Sequence, residues 1–283
     1  MSFRHYVITC LNVGVYSRRG VRGNDELTGD AWMEHRVRLF ETFTLPGIRG
    51  QRCRNFTWLL FLDIRTPPQY KLWVESLRVP NLVPLYLTCR GLDGERIART
   101  VVDHAAPGDY DLITTELDSD DAIHENTIGL IQQRYRPRGR TWAISFAQGV
   151  ILDLAGRQAW LMDYPYHLPT LIEPRVRATS VYHYPNDQLP TDEWELIPQA
   201  PYWLQVVHGQ NVANRLTDGP NRVIRRDCPV PLSALGAFHV NRNALAALER
   251  RQGRSDDPPY DDGSQSLRDS SICRANSPSF GSG

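Results

Sequence analysis

The first half of the chain alternates between short apolar runs and segments in which apolar residues recur at helical spacing. The run at 56–62 is almost continuously apolar, as expected of a strand buried on both faces of a sheet. Similar runs lie at 6–12, 83–87 and 110–115. Alternation of strand and helix is typical of layered α/β folds. The sequence therefore predicts an α/β fold with a mixed, mostly parallel central sheet and flanking helices.

Helical spacing of apolar residues predicts three helices before the fourth strand and one helix after it. Asp30 is placed to cap the first helix, and Pro46 is expected to end or kink it. The predicted helices cover 31–43, 69–77, 95–104 and a segment that contains Ile123, Ile128 and Ile131.

The second half of the chain is less regular. We predict strands at 142–154, interrupted at Gly149, and at 179–184 and 202–209, whereas 165–174 shows no clear element. A helix is expected at 243–250. Residues 253–283 contain few apolar groups, so this tail is expected to be disordered or loosely attached. One domain over residues 1–252 follows from this pattern.

The composition narrows the possible functions. The chain carries 32 basic and 32 acidic residues, which argues against a protein that binds polyanions over its whole surface. Its five cysteines are scattered, which favours reduced thiols over a disulfide framework or a zinc site. We find no signal peptide and no apolar run that approaches the length of a membrane span. The expected location is the cytoplasm.

Three aspartates follow the fourth predicted strand, and they are the strongest chemical signal in the sequence. Asp118, Asp120 and Asp121 lie within four residues, so their charges repel unless a cation is present. Hard divalent ions such as Mg²⁺ and Mn²⁺ take carboxylate ligands together with substrate phosphates. The ends of parallel strands are also where ligands bind in α/β sheets. The alternative is an acidic turn that merely caps the next helix.

A longer series of motifs extends from about residue 6 to residue 214. It consists of Asp30-Ala31-Trp32, Arg36, Leu39-Phe40-Glu41, Thr44-Leu45-Pro46, Gln51, Phe56-Thr57-Trp58-Leu59, Asp63, Thr66-Pro67, residues 117–123, Leu171-Ile172-Glu173, Trp203-Leu204-Gln205 and His208-Gly209-Gln210-Asn211. Within the chain, Arg96-Ile97-Ala98-Arg99 and Leu117-Asp118-Ser119-Asp120-Asp121 resemble the core of inverting GT-A glycosyltransferases of the family-2 type, and the whole series resembles the rhamnosyltransferase family. One position departs from the family pattern, because Glu116 stands where an arginine is expected before Leu117 and Asp118.

The resemblance implies a GT-A-like nucleotide-diphospho-sugar transferase fold, with a nucleotide-binding half at about 1–135 and an acceptor half at about 136–252. It implies a donor such as dTDP-rhamnose or a UDP- or GDP-sugar, a glycan acceptor, and Mn²⁺ or Mg²⁺ as cofactor. Asp120 would hold the metal, Asp118 would share it or contact the ribose, and Asp121 would be a ligand, a catalytic group or a helix cap. His208 would be a third metal ligand, with a core histidine as the alternative.

Four further residues are implied as donor contacts. Asp63 would bind the base, although an Asx-turn before Thr66 explains it equally well. Thr9 and Asn12 would line the nucleotide pocket, and Arg96 would lie near the diphosphate. Each of these has a structural alternative in a turn, a strand end or a solvated helix face.

Inversion requires a general base that takes the proton of the acceptor hydroxyl. Glu173 is our first candidate, with Asp153 and Asp163 as alternatives. Asn211 and Trp203 would contact the acceptor or the transferred sugar, because aromatic rings stack on sugar faces.

Two other functions stay open at this point. The acceptor could be a hydroxylated DNA base or a protein, since residues 134–140 contain four arginines that could meet a phosphate backbone. Alternatively, the chain could be a noncatalytic module that binds a nucleotide sugar or a glycan, and the Glu116 departure favours this view.

Overall fold

The computed structural model describes residues 2–13, 28–88, 94–198, 200–211 and 214–252. The predicted tail at 253–283 and most of the predicted loop at 13–30 lie outside these residues. The strands, in chain order, are β1 (Ser2–Cys10), β2 (Thr57–Asp63), β3 (Leu82–Leu87), β4 (Tyr110–Glu116), β5 (Ala122–Ile123), β6 (Trp142–Phe146), β7 (Gln148–Asp153), β8 (Gln158–Asp163), β9 (Thr170–Pro174), β10 (Trp194–Ile197), β11 (Trp203–Val207) and β12 (Val223–Pro229).

Seven strands form the central sheet in the order β10-β6-β9-β4-β1-β2-β3. β1 to β4 are parallel to one another, and β9 is antiparallel to both of its neighbours, β4 and β6. β10 then pairs in parallel with β6. Six of the seven strands therefore run in one direction, and the predicted α/β fold with a mixed, mostly parallel sheet is confirmed.

A second sheet has five strands in the order β12-β8-β7-β11-β5. It arises because the predicted strand at 142–154 divides at Ala147 into β6 and β7, one in each sheet. β8 and β12 were not predicted, since short strands with mixed polarity give a weak periodic signal. β5 is only two residues long, but it joins the acidic cluster to this sheet through β11.

The first predicted helix differs from expectation at its end. Helix α1 (Asp30–Leu39) continues through a π-helical turn (Phe40–Thr44) into α2 (Leu45–Arg49). Pro46 lies in the first turn of α2, where a backbone N–H is not required, so the proline does not end the helix. Gly29 precedes α1 as its N-cap, and Asp30 is the first helical residue instead of the cap.

The other helices are α3 (Pro68–Ser76), α4 (Gly94–His104), α5 (Thr127–Arg134) and α6 (Arg242–Gln252). They agree with the predicted segments, except that α5 begins after Asn126 and Ile123 belongs to β5. Two other expectations at 165–184 were wrong. Residues 165–174 contain β9, and the predicted strand at 179–184 contains a 3₁₀ turn at Val181–His183.

Buried apolar side chains cover both faces of the central sheet, and alternate residues of β7 and β11 pack on the two faces of the second sheet. Phe40 stacks on Trp58 with ring centroids 5.4 Å apart, which fixes the π-helical turn against β2. This packing positions α1 and α2 next to the carboxyl end of β4. Among the described residues, no helix is both long and apolar enough to cross a bilayer.

Candidate active site

The three aspartates lie directly beyond the carboxyl end of β4. One ligand oxygen from each of Asp118, Asp120 and Asp121 lies within 4.8 Å of the others. Asp118 is partly exposed, whereas Asp120 and Asp121 are only 5% and 1% exposed. The turn is held by Thr44, whose hydroxyl donates to the Asp121 carbonyl at 2.8 Å. The fold thus converges three carboxylates at the edge where an α/β sheet binds ligands.

Asp120 is the most heavily contacted of the three. Its Oδ2 lies 2.9 Å from Nη1 of Arg36 and 2.9 Å from Nε2 of His208, and Nδ2 of Asn211 donates to it at 3.4 Å. Burial alone would raise the pKa of Asp120, but the Arg36 charge and the His208 contact hold that pKa well below its ordinary value. Asp120 is therefore ionised throughout the physiological range.

Arg36 reaches the cluster from α1. Its guanidinium lies over the Trp32 ring, 4.9 Å from the centroid, and donates to the Ser119 hydroxyl at 3.4 Å. The sequence left open whether Arg36 pairs with a carboxylate at the domain surface. The side chain does pair with a carboxylate, but it is buried inside the site.

Asp121 faces the second sheet. Its Oδ1 accepts the Val206 backbone N–H at 2.7 Å, which ties β11 to the cluster. Its Oδ2 lies 3.0 Å from Nε2 of His167 without hydrogen-bond alignment, and no hydrogen bond within the described part of the chain reaches that oxygen. Burial and the neighbouring Asp120 raise the pKa of Asp121 well above its ordinary value. Asp121 does not cap α5, whose N-cap is Asn126.

A buried polar chain continues from His167 and was missed by the sequence reasoning. Gln205 donates to Nδ1 of His167 at 3.0 Å and to Asn214 at 2.9 Å, and Arg222 donates to Gln205 at 3.0 Å. Burial lowers the pKa of His167 to about 4, so its imidazole is neutral at neutral pH. His167 lies within the segment 165–174, which contains three prolines and offers no sequence signal for such a role.

Asp118 and Glu116 are the partly exposed carboxylates of the site. Burial and the charges of Asp121 and Asp120 raise the pKa of Asp118 to about 7. Burial and the neighbouring Asp118 raise the pKa of Glu116 to about 8. Burial is the larger cause of both shifts, and the neighbouring carboxylates add to it. The three converging carboxylates and the unsatisfied Oδ2 of Asp121 are oxygen donors of the kind that a divalent cation such as Mn²⁺ or Mg²⁺ takes.

His208 and Asn211 do reach the cluster, although through Asp120. Nε2 of His208 lies 2.9 Å from the Asp120 carboxylate, and its Nδ1 accepts the Gln210 backbone N–H at 3.3 Å. Nε2 of His35 also lies 3.3 Å from that Nδ1. Asn211 accepts the His208 backbone N–H and donates to Asp120. In this arrangement both residues orient Asp120.

The predicted donor contacts at the ends of β1 and β2 form a buried network. Asn12 accepts the Asp63 backbone N–H at 3.0 Å and donates to the Thr66 hydroxyl at 2.9 Å. Asp63 accepts the Arg65 backbone N–H at 2.7 Å, as in the Asx-turn considered from the sequence. These contacts provide the structural explanation for Asn12 and Asp63, at the same carboxyl edge of the sheet as the aspartates.

Thr9 and Arg96 have other surroundings. Thr9 is fully buried, and its hydroxyl accepts the Trp58 indole N–H at 3.0 Å, so it belongs to the core. Arg96 is exposed on α4 and donates to the Thr88 carbonyl at 2.5 Å. Neither contact connects these residues to the aspartates.

The structure does not bring Glu173 to the cluster. Glu173 pairs with Leu112 in the β4–β9 register, four residues before Glu116. At about 3.3 Å per residue, this places it roughly 13 Å along the strand from Glu116. Its carboxylate instead accepts hydrogen bonds from Thr179 and Ser180.

The alternative bases are also engaged elsewhere. Asp153 accepts the Ala155 backbone N–H at 3.1 Å in the turn after β7. Asp163 accepts from Gln148 at 2.9 Å and from Nε of Arg225 at 2.6 Å. Both carboxylates stabilise the second sheet.

Trp203 is 1% exposed and packs in the main core, so it contacts no open surface. Its ring lies 4.5 Å from that of His167, between centroids. A direct sugar contact would require this core to open.

Three of the four arginines in 134–140 are paired with acidic residues. Arg134 contacts Glu195 at 3.4 Å, Arg138 contacts both Glu193 and Glu195, and Arg140 contacts Glu193. Two glutamates thus offset part, but not all, of the positive charge that this segment could present to a phosphate backbone.

Comparison with known proteins adds a family to this geometry. The class defined so far is an α/β protein with a candidate cation site at the carboxyl edge of its sheet. The chain belongs to the family described as "Putative rhamnosyl transferase", whose sequence profile matches residues 21–219. No curated protein matches the chain.

Solved structures resemble the chain only distantly. TarS from S. aureus (residues 1–349) shows 13% identity over 73% of this chain and 60% of its own, with a TM-score of 0.39. The same part of TarS in complex with UDP-GlcNAc shows 12% identity over 76% of this chain and 62% of its own, also with a TM-score of 0.39. HddC from Yersinia pseudotuberculosis shows 10% identity over 71% of this chain and 92% of its own, with a TM-score of 0.38. This chain thus spans less than two thirds of the TarS chains that it matches.

Proposed function

We propose that this protein is a metal-dependent glycosyltransferase that moves a sugar, such as rhamnose, from a nucleoside-diphosphate donor to an acceptor hydroxyl with inversion. One observation carries the proposal: a member of this family places Asp118, Asp120 and Asp121 together at the carboxyl edge of β4. We extend the assignment to a GT-A type fold, a dTDP-, UDP- or GDP-sugar as donor and a glycan as acceptor.

Asp118 and Asp121 are the residues with oxygens best placed to hold Mn²⁺ or Mg²⁺, with Asp120 as the third carboxylate. Asp118 is partly exposed, and Oδ2 of Asp121 is unsatisfied among the described residues. A bound divalent ion would supply Lewis-acid neutralisation of the charge that develops on the departing diphosphate. Arg36 and His208 hold Asp120 ionised and in a fixed orientation, so the cluster is preorganised.

In an inverting transfer, the acceptor oxygen bonds to the anomeric carbon as the bond from that carbon to the diphosphate oxygen breaks. The acceptor proton must pass to a base. Glu173 is too far along β9 for this role. Glu116 is the partly exposed carboxylate beside the cluster that the proposed metal does not use, and we assign the base to it. The Val206 backbone N–H positions Asp121 from the second sheet, and Gln205 holds the neighbouring His167.

A thermal-shift and transfer experiment tests the proposal. The wild type, Asp118→Asn and the control Asp153→Asn are melted with dTDP, UDP and GDP, each with and without Mn²⁺. We expect at least one nucleotide to raise the Tm of the wild type and of the control only when Mn²⁺ is present, because a ligand of the folded state stabilises it. The wild type and the control Asp153→Asn should then also consume a nucleotide sugar that carries the nucleotide they bind. No metal-dependent nucleotide binding by the wild type would refute the proposal.

A second candidate is a noncatalytic module that binds a nucleotide sugar or a glycan. The ion pair between Arg36 and Asp120 favours it, since an internal cation already neutralises one of the three carboxylates. Nucleotide binding without donor hydrolysis or transfer, over a panel of sugars and glycan acceptors, would select this candidate.

A further inference from the structure

Glu173 is buried and makes a set of hydrogen bonds that the proposed reaction does not use. Its two carboxylate oxygens accept the Thr179 backbone N–H, each at 3.1 Å, and Oε1 accepts the Thr179 hydroxyl at 2.9 Å. Oε2 also accepts the Ser180 backbone N–H at 2.9 Å. A single carboxylate therefore fixes two consecutive backbone N–H groups of the segment at 179–187.

Ser180 has a backbone conformation that serine rarely adopts. Its φ of 76° and ψ of 149° lie in a region that is occupied almost only by glycine. The residue is fully buried, and its hydroxyl has no hydrogen-bond partner among the described residues. The next residue, Val181, donates its N–H to the Thr114 hydroxyl on β4 at 2.9 Å. Contacts on both sides thus hold a conformation that is unfavourable by itself.

The other end of the 179–187 segment lies at the acidic cluster. Tyr182 is 4% exposed and packs in the same buried cluster as Cys10 at the end of β1. Burial and the charges of Cys10, Glu116 and Asp118 raise the pKa of the Tyr182 hydroxyl. Asn186 is partly exposed, and hydrogen bonding from its side chain partly offsets the rise that burial and Asp118 produce in the pKa of Glu116. The segment therefore connects Glu173, at the far end of β4, to the carboxyl edge of that strand.

We infer that Glu173 is a positioning residue that holds the 179–187 segment in its strained conformation, so that Val181 and Tyr182 anchor it against β4 and the core and Asn186 is held at Glu116. The inference deepens the proposed function and depends on it. A carboxylate suits this role because it only accepts hydrogen bonds. A glutamine would present an N–H₂ group to the backbone N–H groups of Thr179 and Ser180, so part of these hydrogen bonds would be lost.

The test compares Glu173→Gln with the wild type and with Glu195→Gln, which alters two ion pairs, with Arg134 and Arg138, on the β10 edge away from this segment. The Mn²⁺ affinity is measured by electron paramagnetic resonance, nucleotide affinity by calorimetry, and kcat and KM for transfer separately. All assays are run well below the Tm of each variant. We expect Glu173→Gln to lower kcat/KM by about ten- to hundredfold and to weaken Mn²⁺ binding, as when outer residues that orient a site are changed.

A second pair of variants separates positioning from simple destabilisation. Ser180→Gly keeps the backbone N–H and adopts the positive φ without strain, so it should retain activity. In the double variant Glu173→Gln with Ser180→Gly, the segment needs less restraint, and we expect partial recovery of kcat/KM and of Mn²⁺ affinity. A loss of folded protein alone would lower kcat in proportion and leave KM and Mn²⁺ affinity unchanged.

The outcomes are distinguishable from failure of the proposed function. Wild-type values of Mn²⁺ affinity, KM and kcat in Glu173→Gln, in a protein whose wild type binds nucleotide with metal, would overturn this inference alone. A fall in kcat only, with no recovery in the double variant, would also overturn it. A wild type that binds neither Mn²⁺ nor nucleotide would overturn the proposed function and this inference together.

Discussion

Arg36 and Asp120 form a buried ion pair, with Nη1 and Oδ2 2.9 Å apart and side chains that are 10% and 8% exposed. The arginine comes from α1 and the aspartate from the turn after β4, so the pair joins two layers of the fold. Removal of one partner from such a pair leaves an uncompensated buried charge. The same contact makes Arg36 a competitor of any cation for Asp120.

Replacement of Arg36 should therefore leave the negative charge of the aspartates without its internal counter-charge. We expect Arg36→Gln to lower the free energy of unfolding by about 3 kcal/mol in metal-free buffer. Mn²⁺ should raise the Tm of this variant more than that of the wild type, because the cation replaces the lost positive charge. Thermal melts with and without Mn²⁺ measure both effects.

Arg99→Gln is the matched control, since Arg99 pairs with Glu95 on the exposed face of α4. Its effect on unfolding should be small, as for most surface ion pairs. Equal Mn²⁺ responses of Arg36→Gln and wild type would show that Arg36 does not compensate the cluster.

Asp118→Asn should separate stability from function. The three carboxylates lie within 4.8 Å of one another, and the loss of one charge relieves their repulsion. We expect the metal-free variant to be about 1 kcal/mol more stable than the wild type, while metal-dependent nucleotide binding is lost. Urea unfolding and calorimetry supply the two measurements. A variant that is less stable and still binds nucleotide with metal would contradict this expectation.

His5 should make stability depend on pH. Burial lowers the pKa of His5 to about 3, and its imidazole lies between the Thr115 hydroxyl and Gln132. The unfolded chain takes up a proton near pH 6.5, whereas the folded protein does not until about pH 3. This contribution is complete above pH 6.5 and is lost as the pH falls towards 3. Between pH 7 and pH 5 the loss should be about 2 kcal/mol.

The variant His5→Gln isolates this effect from the acidic cluster, which titrates in both proteins. Between pH 7 and pH 5, we expect the unfolding free energy of the wild type to fall by about 2 kcal/mol more than that of His5→Gln. Parallel stability curves over that range would show that His5 is accessible to protons in the folded state.

Gly149→Ala should disturb the second sheet through Trp203. A Cβ at Gly149 would lie 2.0 Å from the indole ring, so the ring or β7 must shift. We expect destabilisation of about 3 kcal/mol and weaker metal binding, because β11 carries both Trp203 and the Val206 N–H that holds Asp121.

Gly209→Ala is the control for this substitution, since a Cβ there meets nothing within 4 Å. Both proteins can be compared by chemical unfolding and by Mn²⁺ affinity. A neutral Gly149→Ala would mean that Trp203 is free to move, which would revive its assignment as a sugar contact.

The parallel strands β1 to β4 and the helices could be predicted because their signals are local, whereas β9 and β10 of the same sheet could not. Apolar runs such as 56–62 and the helical spacing at 95–104 depend only on neighbouring residues. The second sheet could not be predicted in this way. β12 is mostly exposed and contains Arg225, Arg226 and Asp227, and β5 exists only through its pairing with β11. Such strands are defined by their partners and not by their own sequence.

The candidate site likewise contains residues that a local pattern reveals and residues that only the fold brings together. The aspartates were found because three adjacent acids are unusual in themselves. The partners of Asp120 and Asp121 come from residues 36, 167, 206 and 208, and no local pattern specifies those contacts. The β4–β9 register, which the sequence alone does not reveal, places Glu173 at the opposite end of β4 from the aspartates.

The π-helical turn at Phe40–Thr44 sets the angular phase between α1 and α2. Each helical residue rotates the chain by about 100° about the helix axis. One residue more or fewer in the turn would therefore rotate every side chain of α1 to another face of the helix. Thr44 is fixed to the Asp121 carbonyl, and Arg36 lies two turns earlier. The guanidinium therefore meets Asp120 only while the wide turn persists. A single deletion within it would rotate that cation away from the aspartates without altering any residue that touches them.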